Sequence, residues 1–431
     1  MVKHDIMFSR EGIRENRAQA MDVRRTVGEP RLLINRDALL HNARAIRRAV
    51  GDHVNVCAVI KADAYGHGAA LVAQTLCDYP LDEMGSPPVN ALAVATIDEA
   101  LLLGDIECPM LILRPVENAF LGRQREQIEA AIRAGWFLTV CSRAAADDVA
   151  RIAMQAHEMA QVQVMVDTGM SRSGVAADHF DDLLTHIDKL PSLRLFGFCT
   201  HFACSEDRHD GFTARQLDAF REITDPAVAA RLARGIKLVR HAANSGAVFC
   251  WPQTHLDMVR PGLSLYGIHP SCDYGKDAAE SGLKPVMKWT ANILMIRDVR
   301  QGTGVGYGQT WHAPRNSRLG LIPIGYADGY LRELSNKGVM LVHGQPAPVV
   351  GIVSMDMTMI DLTAFPDALP GDEVTILDDD PASPASVYRM AKLAHTIPYE
   401  VFCRIGSRIH RVPVGGAPAE ITVESSAAVA V

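Results

Sequence analysis

The feature that most constrains the fold of this chain is a regular alternation of short apolar runs with longer segments of helical spacing, from about residue 31 to residue 267. Eight runs of four to seven residues, rich in β-branched and aliphatic side chains, have the length and composition of buried strands. The runs are Asn55–Ile60, Ala91–Ala95, Met110–Leu113, Phe137–Val140, Val162–Val166, Leu193–Cys199, Ile236–Val239 and Leu256–Val259. The segments between them place apolar residues three or four positions apart, as amphipathic helices do.

This alternation predicts an α/β fold that begins with a closed barrel of parallel strands. Eight strands with helical crossovers, within roughly 240 residues, favour a (β/α)₈ barrel over an open doubly wound sheet. We predict that the barrel covers residues 29–275 and that residues 1–28 form a polar N-terminal extension.

The pattern changes near residue 284. Short apolar runs are separated there by Gly, Pro, Asp and Asn, without long helical segments, which predicts a C-terminal, mainly antiparallel β domain over residues 284–413. The runs are Trp289–Ile296, Leu319–Ile324, Val339–Val342, Val349–Val353 and Val374–Leu377. Residues 414–431 are small and polar and are predicted to form a flexible tail.

The charge balance indicates that the partner is a small molecule or another protein. The 43 basic and 50 acidic residues give a net charge of −7, with no block of like charge, which argues against nucleic-acid binding and a polybasic membrane patch. The nine cysteines are scattered and form no CxxC pair, so we predict neither disulfides nor a metal site. Residues 1–28 lack the apolar core of a signal peptide, and no apolar stretch suits a membrane helix, so we predict a cytoplasmic protein.

The catalytic groups of such barrels lie in the loops at the C-terminal ends of the strands. Lys61 directly follows the first run, and Tyr65 lies in the same loop. A lysine at a strand end is usually a solvated surface charge. Beside apolar walls, however, its pKa can fall and it can form a Schiff base.

Four later runs are also followed by polar residues with possible catalytic roles. Each has a structural interpretation when taken alone, as a helix cap, a core imidazole or a buried ion pair. Together with Lys61 they place several cations and a hydroxyl at one barrel mouth, which suits an anionic cofactor whose phosphate meets the serine and backbone amides. The residues are Arg172, His201, Ser245 and Arg260.

In the second domain, Tyr307 lies in the glycine-rich segment 304–308. No Gly-Lys-Ser/Thr closes this segment, so it is not a nucleotide-binding loop. The flanking glycines are expected to expose the phenol, although a tyrosine in such a turn is by default a surface aromatic residue.

Nine motifs, which occur in order between residues 31 and 413, resemble the alanine racemase family. They are AVIKADAYGHG, VDTGMSRSG, THF, HAANS, DMVRPGLSLYG, VGYGQT, GYADGY, VSMDMTMID and PYEVFCRIGSR, which begin at residues 58, 166, 200, 241, 257, 305, 325, 353 and 398. This family uses pyridoxal 5′-phosphate and has a barrel followed by a β domain. The resemblance implies a homodimeric isomerase that interconverts L- and D-alanine by a two-base mechanism on an external aldimine, and a supply of D-alanine for peptidoglycan.

The resemblance also implies residue roles. Lys61 matches the lysine that holds the cofactor and serves as one base, and Tyr307 matches the opposite base, which the partner subunit contributes. Arg260 matches the arginine at the pyridine nitrogen. His201 matches the histidine linked to that arginine and to the tyrosine, and Arg172 the arginine near the cofactor phenolate and the substrate. The phosphate set matches Tyr65, Ser245, Gly262, Leu263 and Tyr399, and Met355 and Asp356 match residues that line the substrate path.

One position departs from the family pattern. Met165 stands where the family often has a carbamylated lysine that orients the equivalent of Arg172, so Arg172 either needs another partner, such as an anion or a nearby polar group, or is less firmly placed. Two alternative functions stay open: a broad-specificity amino acid racemase of the same fold, towards which the MSRSG sequence at Met170 leans, and a non-catalytic pyridoxal phosphate-binding protein. The second should lack the β domain and Tyr307. The strictness of alanine preference and the choice between a biosynthetic and a catabolic role also stay open.

Overall fold

The computed structural model describes residues 29–78, 88–270 and 281–416. The predicted extension at residues 1–28 and most of the predicted tail lie outside these ranges. Within them, no helix is both long enough and apolar enough to cross a membrane.

Eight parallel strands close into a barrel, which confirms the predicted fold class. The chain first forms β1 (Arg31–Asn35), which lies outside the barrel. The barrel strands are β2 (Asn55–Val59), β3 (Ala91–Val94), β4 (Met110–Ile112), β5 (Phe137–Val140), β6 (Ala160–Met165), β7 (Leu193–Cys199), β8 (Val239–His241) and β9 (Met258–Val259). Each pairs with the next in chain order, and β9 pairs back with β2.

Helices cover the barrel because their apolar faces pack against the strands. In the helix Arg143–Ala156, for example, Ser142 caps the first turn by accepting from Ala145 N at 3.1 Å, and Val149 and Ile152 are fully buried. The α-helices of the barrel region are Arg36–Val50, Lys61–Tyr65, Ala69–Asp78, Ile97–Leu101, Gln124–Arg133, Arg143–Ala156, Phe180–Ile187, Phe212–Leu232 and Ser245–Cys250. Short 3₁₀ turns are Ala177–His179, Pro252–Thr254 and Leu263–Tyr266.

The seventh barrel strand begins three residues later than predicted. The predicted run was Ile236–Val239, whereas β8 covers Val239–His241. The preceding helix ends in a turn in which Gly235 has a φ of 76° and Ile236 N donates to Arg231 O, so residues 236–238 belong to the connection. As a consequence, His241 lies inside the barrel wall rather than in the loop after it.

The C-terminal part of the chain is a mainly antiparallel β domain, as predicted. Its strands are β10 (Met287–Asn292), β11 (Met295–Val299), β12 (Gly304–Val305), β13 (Trp311–His312), β14 (Ser317–Ile322), β15 (Val339–Val342), β16 (Gln345–Pro348), β17 (Thr358–Asp361), β18 (Glu373–Leu377) and β19 (His410–Val414). Two helices, Val387–Leu393 and Pro398–Cys403, and the 3₁₀ turns Tyr307–Gln309 and Arg332–Leu334 complete it. The sheets have the orders β16-β15-β18-β10-β1-β19, β11-β14-β17 and β12-β13.

The first strand of the chain belongs to this second unit, although it lies within the range predicted for the barrel. β1 pairs antiparallel with β10 and parallel with β19, and Leu32 and Ile34 are fully buried. The N- and C-terminal ends of the described chain are therefore joined through one sheet.

Two predicted strands of the β domain differ from the structure. The run Trp289–Ile296 is divided between β10 and β11, which lie in different sheets. The run Val349–Val353 is not a strand, because the chain reverses at His343 and Gly344, whose φ values are 50° and 73°, and the strand follows at once as β16.

Candidate active site

A cavity of about 700 Å³ opens at the C-terminal ends of the barrel strands. Nine of the predicted site residues line it together, although they come from widely separated parts of the sequence. They are Lys61, Tyr65, Arg172, His201, Ser245, Arg260, Gly262, Leu263 and Tyr399. The volume lies within the range typical of small-molecule and cofactor sites.

Lys61 leads into an unusual backbone turn. The four residues after it, Ala62 to Tyr65, all have a φ of 53°, a left-handed conformation that costs a non-glycine residue about 1–2 kcal/mol. Neighbouring groups hold the turn: Asp63 Oδ1 accepts from Ala69 N at 2.7 Å, and the buried His67 Nδ1 lies 2.9 Å from Ala64 O and 3.0 Å from Tyr65 O. The turn brings the side chains of Lys61 and Tyr65 to the same cavity.

The surroundings of Lys61 favour its neutral amine. Burial lowers the pKa of Lys61, and the positive charge of Arg172 lowers it further. A larger neutral fraction is what both imine formation and proton acceptance require of a lysine.

Arg260 is buried and held by several acceptors. Its Nη2 donates to Thr200 O at 2.7 Å and to Ala242 O at 3.1 Å, and its Nη1 donates to His241 Nδ1 at 2.5 Å. A buried arginine remains a cation, so these contacts fix a positive charge and its direction at the base of the cavity.

A chain of buried hydrogen bonds continues from His241 across the barrel interior. His241 Nε2 lies 2.7 Å from Gln163 Oε1, Gln163 Nε2 donates to Thr139 Oγ1 at 2.7 Å, and Thr139 Oγ1 donates to Ile112 O at 2.6 Å. Burial and Arg260 hold the pKa of His241 well below its ordinary value, so its ring is neutral, with Nδ1 as acceptor and Nε2–H as donor. The sequence predicted no role for these residues. Thr139 and Gln163 are polar side chains inside apolar strand runs, whereas His241 follows the predicted run Ile236–Val239.

His201 lies beside Arg260, with its Nδ1 3.4 Å from Arg260 Nη2. Burial, followed by the charges of Arg260, Arg172 and Lys61, lowers the pKa of His201 to about 3. The imidazole is therefore neutral at physiological pH and acts here as a hydrogen-bonding group rather than as a cation.

Ser245 and Gly262 form a compact polar corner of the cavity. Ser245 Oγ accepts from Gly262 N at 2.9 Å and from Ser264 N at 3.2 Å. A Cβ atom on Gly262 would lie 2.5 Å from the hydroxyl oxygen of Tyr65, so glycine is required there. The rings of Tyr65 and Tyr399 lie 6.0 Å apart beside this corner.

Three predicted site residues do not reach this cavity within the same chain. Tyr307, Met355 and Asp356 instead line a second cavity of about 460 Å³ on the β domain. Tyr307 is 72% exposed and Met355 is 53% exposed. The side chain of Asp356 accepts from Arg408 Nη2 at 2.7 Å, which ties its loop to the C-terminal segment.

The structure also shows what surrounds Met165. Ser173 Oγ lies 3.5 Å from Met165 Sδ, which stands where the resembled family often has a carbamylated lysine. Arg172 lines the Lys61 cavity and, within the described part of the chain, forms no salt bridge with a carboxylate.

Two family models match most of the chain. One is described as the N-terminal domain of alanine racemase and matches residues 34–270, and the other is described as the C-terminal domain and matches residues 286–413. Alanine racemase 2 of Caldanaerobacter subterraneus subsp. tengcongensis is 37% identical over 387 residues, which cover 89% of this chain and 94% of that protein. Alanine racemase of Chlorobaculum tepidum is 37% identical over 384 residues, with coverages of 89% and 94%.

Solved structures are similar over the whole of this architecture. Alanine racemase from Streptomyces lavendulae matches with a TM-score of 0.80 and 33% identity, over 91% of this chain and 98% of that one. Alanine racemase from Bartonella henselae, described with covalently bound pyridoxal phosphate, matches with a TM-score of 0.74 and 28% identity, over 90% and 99%.

Proposed function

This chain belongs to the alanine racemase family, and we propose that its Lys61 acts together with Tyr307 of a second copy to interconvert L- and D-alanine. Membership makes the protein an amino acid racemase of a pyridoxal phosphate-dependent family. One observation carries the division of the site between two copies: the Lys61 cavity and the Tyr307 cavity are separate within one chain, and each contains residues that the reaction needs.

The two proposed bases suit the stereochemistry of racemisation. A proton must leave one face of the alanine Cα, and another must arrive at the opposite face, so two groups on opposite sides are better placed than one. The lowered pKa of Lys61 makes its Nζ a suitable acceptor on one face. The exposed phenol of Tyr307 supplies the other, and the family resemblance links it to His201, whose imidazole is neutral.

The donor set of the Lys61 cavity fits pyridoxal 5′-phosphate. Lys61 would bind the aldehyde carbon, Arg260 the ring nitrogen, and Arg172 the phenolate side. The phosphate would lie at the polar corner formed by Tyr65, Ser245, Gly262, Leu263 and Tyr399, which combines hydroxyl groups with backbone amides. When bound, this cofactor supplies an electron sink that makes the Cα proton of alanine acidic.

Arg260 also restricts the outcome of the reaction. As a fixed cation held by Thr200 O, Ala242 O and His241, Arg260 would disfavour protonation of the ring nitrogen of bound pyridoxal phosphate. A carboxylate in the same place would favour that proton and, with it, competing decarboxylation and transamination. Arg260 thus favours the return of a proton to Cα, which is the outcome that racemisation needs.

We propose a homodimer, and the exposure of the second cavity supports it. Tyr307, Tyr326, Met355 and Met357 form an exposed, largely apolar face on the β domain, and such a face indicates a protein partner. We assign this face to the barrel mouth of a second copy, with Met355 and Asp356 along the substrate path. We also place the reaction in the cytoplasm, because the cysteines of the described residues are free thiols, which suits a reducing compartment.

A heterodimer experiment tests the shared site. We expect Lys61→Ala and Tyr307→Phe homodimers to be inactive, and a doubly tagged, purified heterodimer of the two to regain about half of the wild-type activity, since one of its two sites is intact. A heterodimer of the wild type with the Lys61→Ala/Tyr307→Phe double variant is the matched control. It contains the same substitutions, but both of its shared sites are damaged, so we expect it to be inactive.

If the sites are not shared between copies, the two heterodimers will show the opposite activities. Each copy would then contain a complete site, so the control heterodimer would keep half of the activity and the first heterodimer would have none. Assaying the wild type with L-alanine, L-serine, L-lysine and L-arginine separates an alanine racemase from the broad-specificity alternative.

A further inference from the structure

The loops that follow β2 and β3 are joined by one carboxylate, that of Glu99. Its Oε1 accepts from Ala62 N at 2.8 Å, in the first loop. Its Oε2 accepts from Ala95 N at 2.7 Å and from Thr96 N at 3.2 Å, in the second. The two strands are parallel neighbours with Val59 opposite Ala93, so their loops begin side by side.

Helix capping explains only half of this arrangement. Glu99 N donates to Thr96 Oγ1 at 3.2 Å, and Glu99 Oε2 accepts from Thr96 N. These two hydrogen bonds form a capping box at the start of the helix Ile97–Leu101. The second oxygen leaves its own helix and binds the amide of the residue that follows Lys61. A residue that served the cap alone would not need this second contact.

The contact between Glu99 and Ala62 N lies at the start of the left-handed backbone turn. Ala62 is the first of four successive non-glycine residues in the left-handed conformation, which persists only where neighbouring groups hold it. Lys61 is the last residue before the turn, so the direction in which its side chain leaves the backbone depends on how the Ala62 peptide is held.

We propose that Glu99 is a positioning residue for Lys61: by holding the Ala62 amide, it directs the Lys61 amine to the reacting carbon. The inference rests on the proposed function of Lys61 and adds a residue that acts through it. A reacting group must lie close to its attack geometry, and a displacement of about 1 Å can cost about 100-fold in rate.

Glu99 also acts on Lys61 through its charge. Burial and Arg172 lower the pKa of Lys61, whereas the negative charge of Glu99 raises it. The remaining groups that act on this amine are Cys403, which raises its pKa, and Arg260, which lowers it. Loss of the Glu99 charge is therefore expected to lower the pKa of Lys61 further.

The test compares Glu99→Gln and Glu99→Ala with Thr96→Ala, which removes the other half of the capping box and leaves the Glu99–Ala62 contact in place. The pKa of Lys61 is measured in the full-length protein freed of cofactor, from the pH dependence of acetic anhydride labelling and mass spectrometry of the Lys61 peptide. We expect both Glu99 variants to have a lower Lys61 pKa and a kcat reduced by about 10- to 100-fold, with KM for alanine changed much less. Thr96→Ala should keep the wild-type pKa and kcat.

The inference is overturned if Thr96→Ala and Glu99→Gln change these two quantities equally, because capping alone would then explain both. It is also overturned if Glu99→Gln folds and leaves the Lys61 pKa unchanged. Borohydride reduction of the wild-type protein with bound pyridoxal phosphate separates this failure from a failure of the proposed function. A reduced adduct on another lysine overturns both, whereas an adduct on Lys61 leaves the proposed function standing.

Discussion

Tyr307 owes its exposure to the residues on either side of it. Gly306 and Gly308 have φ values of 71° and 66°, which larger side chains adopt at a cost, and they turn the chain so that the phenol projects from the β domain. The sequence already indicated this from glycine spacing alone. The spacing did not indicate what the phenol contacts, and under the proposed function that contact belongs to a second copy.

Replacing Tyr307 with Phe should separate proton transfer on the Tyr307 face of the alanine Cα from proton transfer on the Lys61 face. We expect racemisation to fall by about 10²–10⁴-fold in both directions, because the two enantiomers are equally stable and the catalyst cannot change that balance. Exchange of the Cα proton in D₂O, followed by mass spectrometry, should persist from one enantiomer only, the one whose proton faces Lys61. Equal loss of exchange from both enantiomers would contradict a base that serves one face.

His67 is expected to make the stability of the fold depend on pH. It is fully buried against Tyr266 and Phe402, and burial lowers its pKa to about 4. The unfolded chain therefore binds a proton from about pH 6.5 downward while the folded chain does not. The free energy of unfolding should have its full value above pH 6.5 and should fall by about 3 kcal/mol as the pH drops to 4.

This prediction is checked by urea unfolding of the wild type and His67→Gln between pH 4 and 7. We expect the variant to be less stable at pH 7, because the contacts to the left-handed turn are changed, but to have a shallower dependence on pH. Parallel pH profiles would show that His67 does not contribute to acid sensitivity.

At the scale of elements, the barrel strands are joined inside by the polar chain that begins at Arg260. Thr139 lies on β5, Gln163 on β6 and His241 on β8, so the chain passes across the barrel beneath the cavity. The sequence predicted these strands well, because short apolar runs of this length are typical of buried strands. It did not predict the chain, because a polar side chain in a strand run can point to either face.

Replacing Gln163 with Leu should destabilise the barrel and loosen Arg260. The change leaves the His241 Nε2–H donor buried without its acceptor, which we expect to cost about 1–3 kcal/mol. Urea unfolding would measure this loss, and titration with pyridoxal phosphate would show weaker binding. Thr139→Val is the control, since it leaves the Gln163–His241 contact intact and should have a smaller effect on cofactor affinity. Equal effects of both variants on affinity would contradict the role assigned to the chain.

At the scale of the whole molecule, the two units are joined by a sheet as well as by sequence. β1 enters the β domain before the chain forms the barrel, and β19 returns beside it at the end. The helix Pro398–Cys403 then brings Tyr399 to the Lys61 cavity. The β domain therefore serves both the cavity of its own chain, through Tyr399, and the proposed site of a second copy, through Tyr307.

If the proposed dimer completes the site, activity should depend on protein concentration. We expect Met357→Asp, on the exposed face of the β domain, to weaken association by about tenfold or more, because a charge would be buried at the interface. Its specific activity should fall on dilution and recover at high concentration. Sedimentation velocity over the same range of protein concentration would measure the fraction of dimer. Met154→Asp is the control, an equally drastic change at a residue exposed on the outside of the barrel, and should leave association and specific activity unchanged. A loss of activity in Met357→Asp that does not depend on protein concentration would contradict the proposal.

The sequence by itself determined the barrel, the β domain and the residues that meet at the barrel mouth. Apolar periodicity is local, and the parallel strands of a closed barrel all end on one face, so polar residues after each run must converge there. Only the tertiary structure decided the pairing of β1 with β19, the left-handed turn after Lys61, the Glu99 bridge and the separation of Tyr307 from Lys61. These depend on which distant segments bury one another, and no local spacing in the chain encodes that choice.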